Sequence, residues 1–526
     1  MTAKLEIPAP ASEVFVSLIA GIVCVLFAAD RSLADPPARQ EAPPAGSTQK
    51  IADRVCLFLD DRFVAEQSGL THSWHPGRPL PEPAITASAP WDLWPHLFGS
   101  VVYDPQDKLY KMWYSSLREG MFYAESPDGK TWTKPNLGLH DIGGSKDNNL
   151  VMPAISLPNV FLDPNEQDPE ARYKLFAWDH AYYSKEPKED RADGHKLFQS
   201  GDGIHWTAAG AGVPGSLMAE SERCSNFICP DTNQVIWDSL AGRYLCTFRT
   251  YPKLWEFGGL EAGRRRSIGV TTSDKISGGW KPIVTVMQPD DQDDQDVKAI
   301  IRDQPDPKWA EYYVMPVFNY GNHYIGMLSR LFVTGGIDNA VGSGDLQVTF
   351  SHDGVRWQRP AERQPLIGPS SATDLHPTYA ACSAPLEMGD ELWIYYAEAN
   401  SSHPAKEHPQ SQIRAAAWRK DGFASLKTSG EQPGAITTPP LLFAGGRLEL
   451  NVQTENEGEV RVQLLDADGS PLEGFEQKRC DPLQGDLVRH VVSWQGKSDV
   501  SSLQNRPIRL RITLTKSRLY GFRFAP

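Results

Sequence analysis

Cysteine is scarce, with seven in 526 residues. That excludes a small scaffold stapled by disulfides. One of the seven, Cys24, lies in an N-terminal apolar run. The others are Cys56, Cys224, Cys229, Cys246, Cys382 and Cys480, unevenly spaced. Cys224 and Cys229 have no matching second pair, so no zinc site is expected. The expectation is buried thiols, or one disulfide if the chain is exported. Basic charge is also short: 52 Lys and Arg stand against 66 Asp and Glu, for a net charge of −14. A general nucleic-acid binder would need a basic face. There is no P-loop, no dinucleotide fingerprint, no G-x-S-x-G and no H-E-x-x-H. The common nucleotide, serine-hydrolase and zinc-protease signatures are therefore missing.

The apolar run Val14–Ala29 has 16 residues. A membrane span needs about 20. Ser32 and Ala34 supply a small-x-small cleavage site, although Lys4 is the only basic residue ahead of the run. Residues 1–34 are expected to be a secretory signal, with a retained anchor as the alternative. The protein is then secreted or periplasmic. Residues 35–50, "DPPARQEAPPAGSTQK", read as a disordered linker.

What the chain has in quantity is aromatics (10%), 43 glycines and 42 prolines. Such a mix suits many short strands joined by turns. One turn recurs. "SPDGKTW" starts at Ser126, "SGDGIHW" at Ser200 and "SHDGVRW" at Ser351. "TSDKISGGW" from Thr272 and "RKDGFASL" from Arg419 are weaker copies. Each follows an apolar strand, a polar turn and an aromatic strand, as in "SVVYDPQDKLYKMWYSS" and "QVIWDSLAGRYLCTFRT". This grammar predicts antiparallel sheet. Asp128 is expected to accept hydrogen bonds from amides of its own turn, with Gly129 permitting the backbone angle. Trp132 is expected to pack between sheets.

Five four-stranded sheets that cannot bury both faces alone stack as a propeller. The fold class is therefore all-β: a five-bladed β-propeller over residues 51–432, followed by a C-terminal β-sandwich over 433–526. The blades are placed at roughly 95–150, 155–215, 228–290, 308–365 and 376–430. The strand "VCLFLDDRFVAE" from Val55 is expected to close the ring against the last blade, or to pack beside it. The strands "RLELNVQ", "EVRVQLLD", "VRHVVSW", "IRLRITL" and "LYGFRFA" make up the sandwich.

The S-x-D-G-x-x-W turn after an aromatic strand resembles the S-x-D-L-x-x-W turn of five-bladed-propeller glycoside hydrolases. These are the invertase, levansucrase and arabinanase superfamily of families 32, 43 and 68. The chain is more similar still to secreted propeller proteins of planctomycete-type bacteria. The resemblance covers roughly residues 55–526. It implies an axial pocket with three carboxylates, one from each of the first three blades, and a carbohydrate substrate. The sequence has no W-M-N-D-P motif and no A-D-P at the first blade, and its second inner strand, near "LPNVFL", has no carboxylate. The triad is therefore not carried over residue by residue.

Glycoside hydrolysis needs one carboxyl to protonate the leaving oxygen and another to attack or activate water. Residues that open inner strands are the candidates. Asp231, Glu311 and Asp92 are the expected catalytic carboxylates. His96, Trp94, Arg249, His376 and Glu222 are the expected substrate-binding residues. Each has a plainer role open to it: Asp231 as a turn cap, Glu311 in a rim ion pair, Arg249 paired with a core acid, the others as loop polars. Glu398 and His403 are weaker candidates. The acidic run "PDDQDDQD" is expected to be a solvated loop, with a structural calcium site as the alternative, since it lacks the D-x-D-x-D-G spacing. Arg264, Arg265 and Arg266 are expected at the surface. No catalytic cofactor or metal is expected. The function predicted is acid-base cleavage of a glycosidic bond. The alternative is a non-catalytic propeller that binds glycans. Oligomeric state stays open.

Overall fold

The computed structural model describes residues 47–526 apart from 90, 117–119, 180–194, 214–216, 218–232, 253–264, 301–307, 335–339, 368–375, 382 and 400–409. Five antiparallel sheets follow one another along the chain as propeller blades. The first runs outward from Pro95–His96 and Val101–Asp104 through Leu109–Ser116 and Met121–Ser126 to Leu150–Met152. The second is Ile155–Leu162, Tyr173–Asp179, His195–Ser200 and Thr207–Ala211. The third is Asn233–Asp238, Arg243–Thr250, Ser267–Ser273 and Val284–Met287. The fourth starts with Lys308–Val314 and Val317–Tyr320 and continues through His323–Thr334 and Ala340–Ser351 to Trp357–Gln358. The fifth starts with His376–Ala380 and Leu386–Met388 and continues through Glu391–Ala399 to Ser411–Arg419.

Of the two placements expected for the segment from Val55, it packs against the last blade, with Val55, Leu57 and Leu59 in one core with Leu392, Ile394 and Trp418; a different segment closes the ring. Arg78–Pro79 and Ile85–Thr86 pair with Ser411–Arg419 as the outermost strand of the fifth blade. Cys56–Leu57 pairs instead with Ile508–Ala525. The expected segment thus belongs to the C-terminal sheet, whose ten strands include Gln49–Lys50, Cys56–Leu57, Glu66–Ser68 and Leu70–Trp74. The long strands Arg447–Asp466 and Ile508–Ala525 form the spine of that sheet. Their alternate residues Leu448, Leu450, Val452 and Ile508, Leu510, Ile512, Leu514 are buried in one core, as a period of two requires.

The three clear copies of the turn, at Ser126, Ser200 and Ser351, are built alike. Asp128 Oδ1 accepts from the amides of Lys130 and Thr131, both at 2.8 Å. Asp202 and Asp353 do the same in their own turns. These amide bonds hold the Asp128 carboxyl below its usual range. The indole of Trp132, Trp206 or Trp357 donates to the glycine carbonyl of its own turn at 3.1–3.2 Å. The turn also touches the preceding blade. Trp113 Nε1 of the first blade donates to Gly203 O of the second at 2.7 Å. Tyr395 of the fifth blade donates its hydroxyl to Gly129 O of the first. The last contact shows the ring closed.

Two further sets of polar contacts tie the blades. Asp163 and Asp238 end inner strands and accept tyrosine hydroxyls from the next blade, Tyr244 at 2.9 Å and Tyr324 at 2.9 Å. Asp104 takes the hydroxyl of Tyr173 in the same way. Nearer the axis, Val160 N–H donates to Ser100 Oγ, Val235 N–H to Asn159 Oδ1, Val317 N–H to Gln234 Oε1 and Val101 N–H to Ser383 Oγ, at 2.6–3.1 Å. Asn159 lies in "LPNVFL", the inner strand that lacks a carboxylate. Its amide serves as a seam between blades.

The acidic run is not a solvated loop. Asp291–Ile300 is an α-helix, and its carboxylates meet guanidinium groups. Arg330 reaches Asp293 and Asp296 at 2.9 and 2.8 Å. Arg359 reaches Asp293 at 2.7 Å, and Arg265 pairs with Asp294. Arg265 is therefore buried, contrary to the surface placement expected for it. Arg264 lies outside the described residues. Cys56, Cys246 and Cys480 are buried free thiols, and burial pushes the Cys56 thiol up to about 12.

Candidate active site on the propeller axis

Phe98 lies between the two inner segments of the first blade. Its ring centroid is 5.9 Å from that of Tyr313, in the inner strand of the fourth. The first and fourth blades are not neighbours in a ring of five, so this contact spans the axis. The third blade supplies arginines to the same place. The Arg249 guanidinium lies over the Tyr313 ring at 4.7 Å and that of Arg266 at 5.9 Å. Arg249 is buried.

Glu311 faces this group from the fourth blade. One carboxylate oxygen accepts from Trp309 Nε1 at 3.0 Å and the other is ion-paired with Arg266. Glu311 is almost fully buried. Burial alone would lower the pKa of Arg266, but the adjacent carboxylate outweighs it and raises it. The Arg266 guanidinium is therefore held charged against the Glu311 carboxylate. A carboxylate held this way stabilises positive charge or acts as a base.

His96 borders the group on the first blade. Its ring stands 4.6 Å from Trp94 and edge-on to Phe98 at 5.1 Å. His96 Nδ1 is 3.1 Å from the Trp94 carbonyl. A carbonyl only accepts, so Nδ1 carries the proton and Nε2 is left as an acceptor. Burial pushes the imidazole down to about 4, so it is neutral at pH 7.

Asp92 serves elsewhere. It is fully buried, ion-paired with Lys134, and accepts from Tyr114 OH at 3.4 Å. Lys134 also donates to Thr86 O and Ser88 Oγ at 2.8 and 2.9 Å. Asp92 therefore fastens the first blade to the closing segment. Burial raises its pKa and Lys134 opposes the rise. Among the described residues no hydrogen bond or ion pair joins it to Glu311.

Asp231, Glu222 and His403 lie outside the described residues. His376 opens the inner strand of the fifth blade opposite Ala399. Glu398 is buried and paired with Arg414 at 3.0 Å. The structure thus brings Glu311, Arg249, His96 and Trp94 around one axial group. Phe98, Trp309, Tyr313 and Arg266 belong to it and were missed. A signal existed for Tyr313: in "AEYYV" a period of two leaves alternate residues, Glu311 and Tyr313, on one face. Arg266 gave none, since its partner is 45 residues away.

No protein-family model and no curated relative matches the sequence. Solved structures do. A family 32 β-fructofuranosidase of Bombyx mori is similar at 11% identity and a TM-score of 0.39, over 85% of this chain and 95% of that one. An α-L-arabinofuranosidase from Lactobacillus brevis is similar at 10% identity and 0.38, over 63% and 94%. An N-acetylgalactosamine deacetylase from F. plautii is similar at 14% and 0.39, over 67% and 96%. All three likenesses are distant.

Proposed function

We propose that the protein is a glycoside hydrolase exported by its N-terminal segment, and that it binds a carbohydrate at the axial group. One observation carries this reading: aromatic rings of Trp94, Phe98 and Tyr313 stand beside the Glu311–Arg266 pair where three blades converge. Aromatic faces suit the apolar faces of sugar rings, and convergent charged groups fix orientation. Glu311 is assigned the ionised role, as base or as stabiliser of an oxocarbenium-like transition state. The proton donor is assigned to Asp231.

A second reading has its own support. Both oxygens of Glu311 are engaged, which suits a propeller that binds glycans without cleaving them. Release of reducing ends from a polysaccharide panel separates the two. Hydrolysis that falls about a hundredfold or more in Glu311→Gln and in Asp231→Asn supports the enzyme. Binding without release in the wild type supports the second reading. Equal activity in all three proteins removes both assignments.

A further inference from the structure

Next to the axial group, the first blade holds two buried polar atoms left unsatisfied by the described residues. Among these residues Trp94 Nε1 and Ser115 Oγ have no hydrogen-bond partner. Trp94 is 6% exposed and Ser115 4%. Leaving a buried donor unpaired is costly. Such a donor persists where something outside the chain, a water or a ligand, completes it.

The strand register shows that these atoms share a place. Ser115 lies directly opposite His96 in the antiparallel pair, so their side chains leave the same face of the sheet. The Trp94 ring packs on His96 at 4.6 Å, on that same side. His96 is only partly buried. Its Nε2 is an acceptor because Nδ1 is committed to the Trp94 carbonyl. The group therefore offers one N–H donor, one imidazole lone pair, and one hydroxyl able to do both. Phe98, edge-on to His96, walls it toward the axis.

We propose that Trp94, His96 and Ser115 form a subsite for the hydroxyl edge of a neutral sugar ring. Two adjacent hydroxyls need donors and acceptors together, and this set supplies both. A carboxylate or sulfate would meet a facing imidazole lone pair with only an indole N–H and a hydroxyl to hold it. This assignment rests on the carbohydrate reading above, and it narrows that reading to a neutral residue at this position. It also adds Ser115.

Two measurements test it. The first is a high-resolution crystal structure without sugar. A water bridging Trp94 Nε1 and Ser115 Oγ is expected. A dry void there, or a protein carbonyl accepting from Nε1, overturns the subsite. The second is calorimetry with neutral gluco-, galacto-, xylo-, arabino- and fructo-oligosaccharides and with a uronate oligosaccharide. Trp94→Phe and Ser115→Ala should each weaken the wild type's best neutral ligand about five- to tenfold. Unchanged affinity in both variants, with wild-type binding intact, overturns the subsite and leaves the carbohydrate reading standing. Preference for the uronate, weakened by the same variants, overturns the neutral assignment. A wild type that binds none of the panel fails the carbohydrate reading, and the bridging water then decides the hydroxyl site alone.

Discussion

Arg414 of the fifth blade donates from Nη1 to the carbonyl of Leu80 at 2.7 Å. The same nitrogen reaches Pro81 O at 2.6 Å, and Nε reaches Glu398 Oε1 at 3.0 Å. Leu80 and Pro81 link the two short strands that close the ring. Arg414 and Glu398 are both buried. Arg414→Met should cost about 3–5 kcal/mol, because it strands a buried carboxylate. Adding Glu398→Met should recover part of the loss, since among the described residues Glu398 Oε2 has no hydrogen-bond partner. Urea midpoints of the three proteins check this. A single variant as stable as the wild type refutes the clasp.

Two turn glycines, Gly203 of the recurring turn and Gly242 of the turn between the first two strands of the third blade, are required for separable reasons. Gly203 has φ +81°, and a Cβ there would stand 2.6 Å from the Trp113 ring. Gly242 has φ +67° with open space around it. Gly242→Ala should cost about 1 kcal/mol from backbone strain alone. Gly203→Ala should cost at least twice that. Equal shifts in melting temperature would show that the Trp113 contact yields freely.

Tyr324 OH donates to buried Asp238 across the seam between the third and fourth blades. Tyr324→Phe removes that one bond and keeps the ring. A loss of about 1.5–3 kcal/mol is expected for a bond to a charged group. A change under about 0.5 kcal/mol would mean that Arg243 already satisfies Asp238. Chemical denaturation of the two proteins distinguishes these cases.

Acid should weaken the fold well above the carboxylate range. Burial pushes His323 down to about 3, and pushes His75 and His96 down to about 4. In the unfolded chain each titrates near 6.5. Between those limits the unfolded state binds more protons, so stability rises with pH. The melting temperature should therefore fall as pH drops from about 6.5 to about 4, with the His323 contribution continuing to about 3. His323 Nε2 accepts from Leu57 N–H at 3.3 Å, which a protonated ring cannot do. His323→Gln keeps an acceptor and should flatten the dependence. An unchanged slope in that variant would exclude His323 as a source.

The repeating grammar was readable because it is local. Asp128, Gly129 and Trp132 act within one turn, and aromatic strands announce themselves by composition. Ring closure was not readable. "RPLPEPAIT" carries Pro79, Pro81 and Pro83, which argue against a strand in any sheet interior. They are tolerated here because the segment is an outer edge, where missing N–H groups face no neighbour. The acidic helix was misread for another reason. Its charges are visible in sequence, but Arg330 and Arg359 reach them from the fourth blade's later strands. In the site, Glu311 was recognisable as the opening of a blade. Its engagement by Arg266 was not, because that partner comes from another blade.

The first and last described strands share one sheet, in which Cys56–Leu57 waits for Ile508–Ala525. During synthesis the first strands emerge more than 400 residues before their partners. So large a sequence separation makes the last step of folding slow. Until then the segment just downstream, which completes the fifth blade, hangs from an unanchored stem. Assembly should therefore finish when these two segments meet, with the five blades stacked but unlatched beforehand. A fragment cut after residue 432 would keep every inner strand yet leave Gln49–Lys50 and Cys56–Leu57 without the strands they pair with.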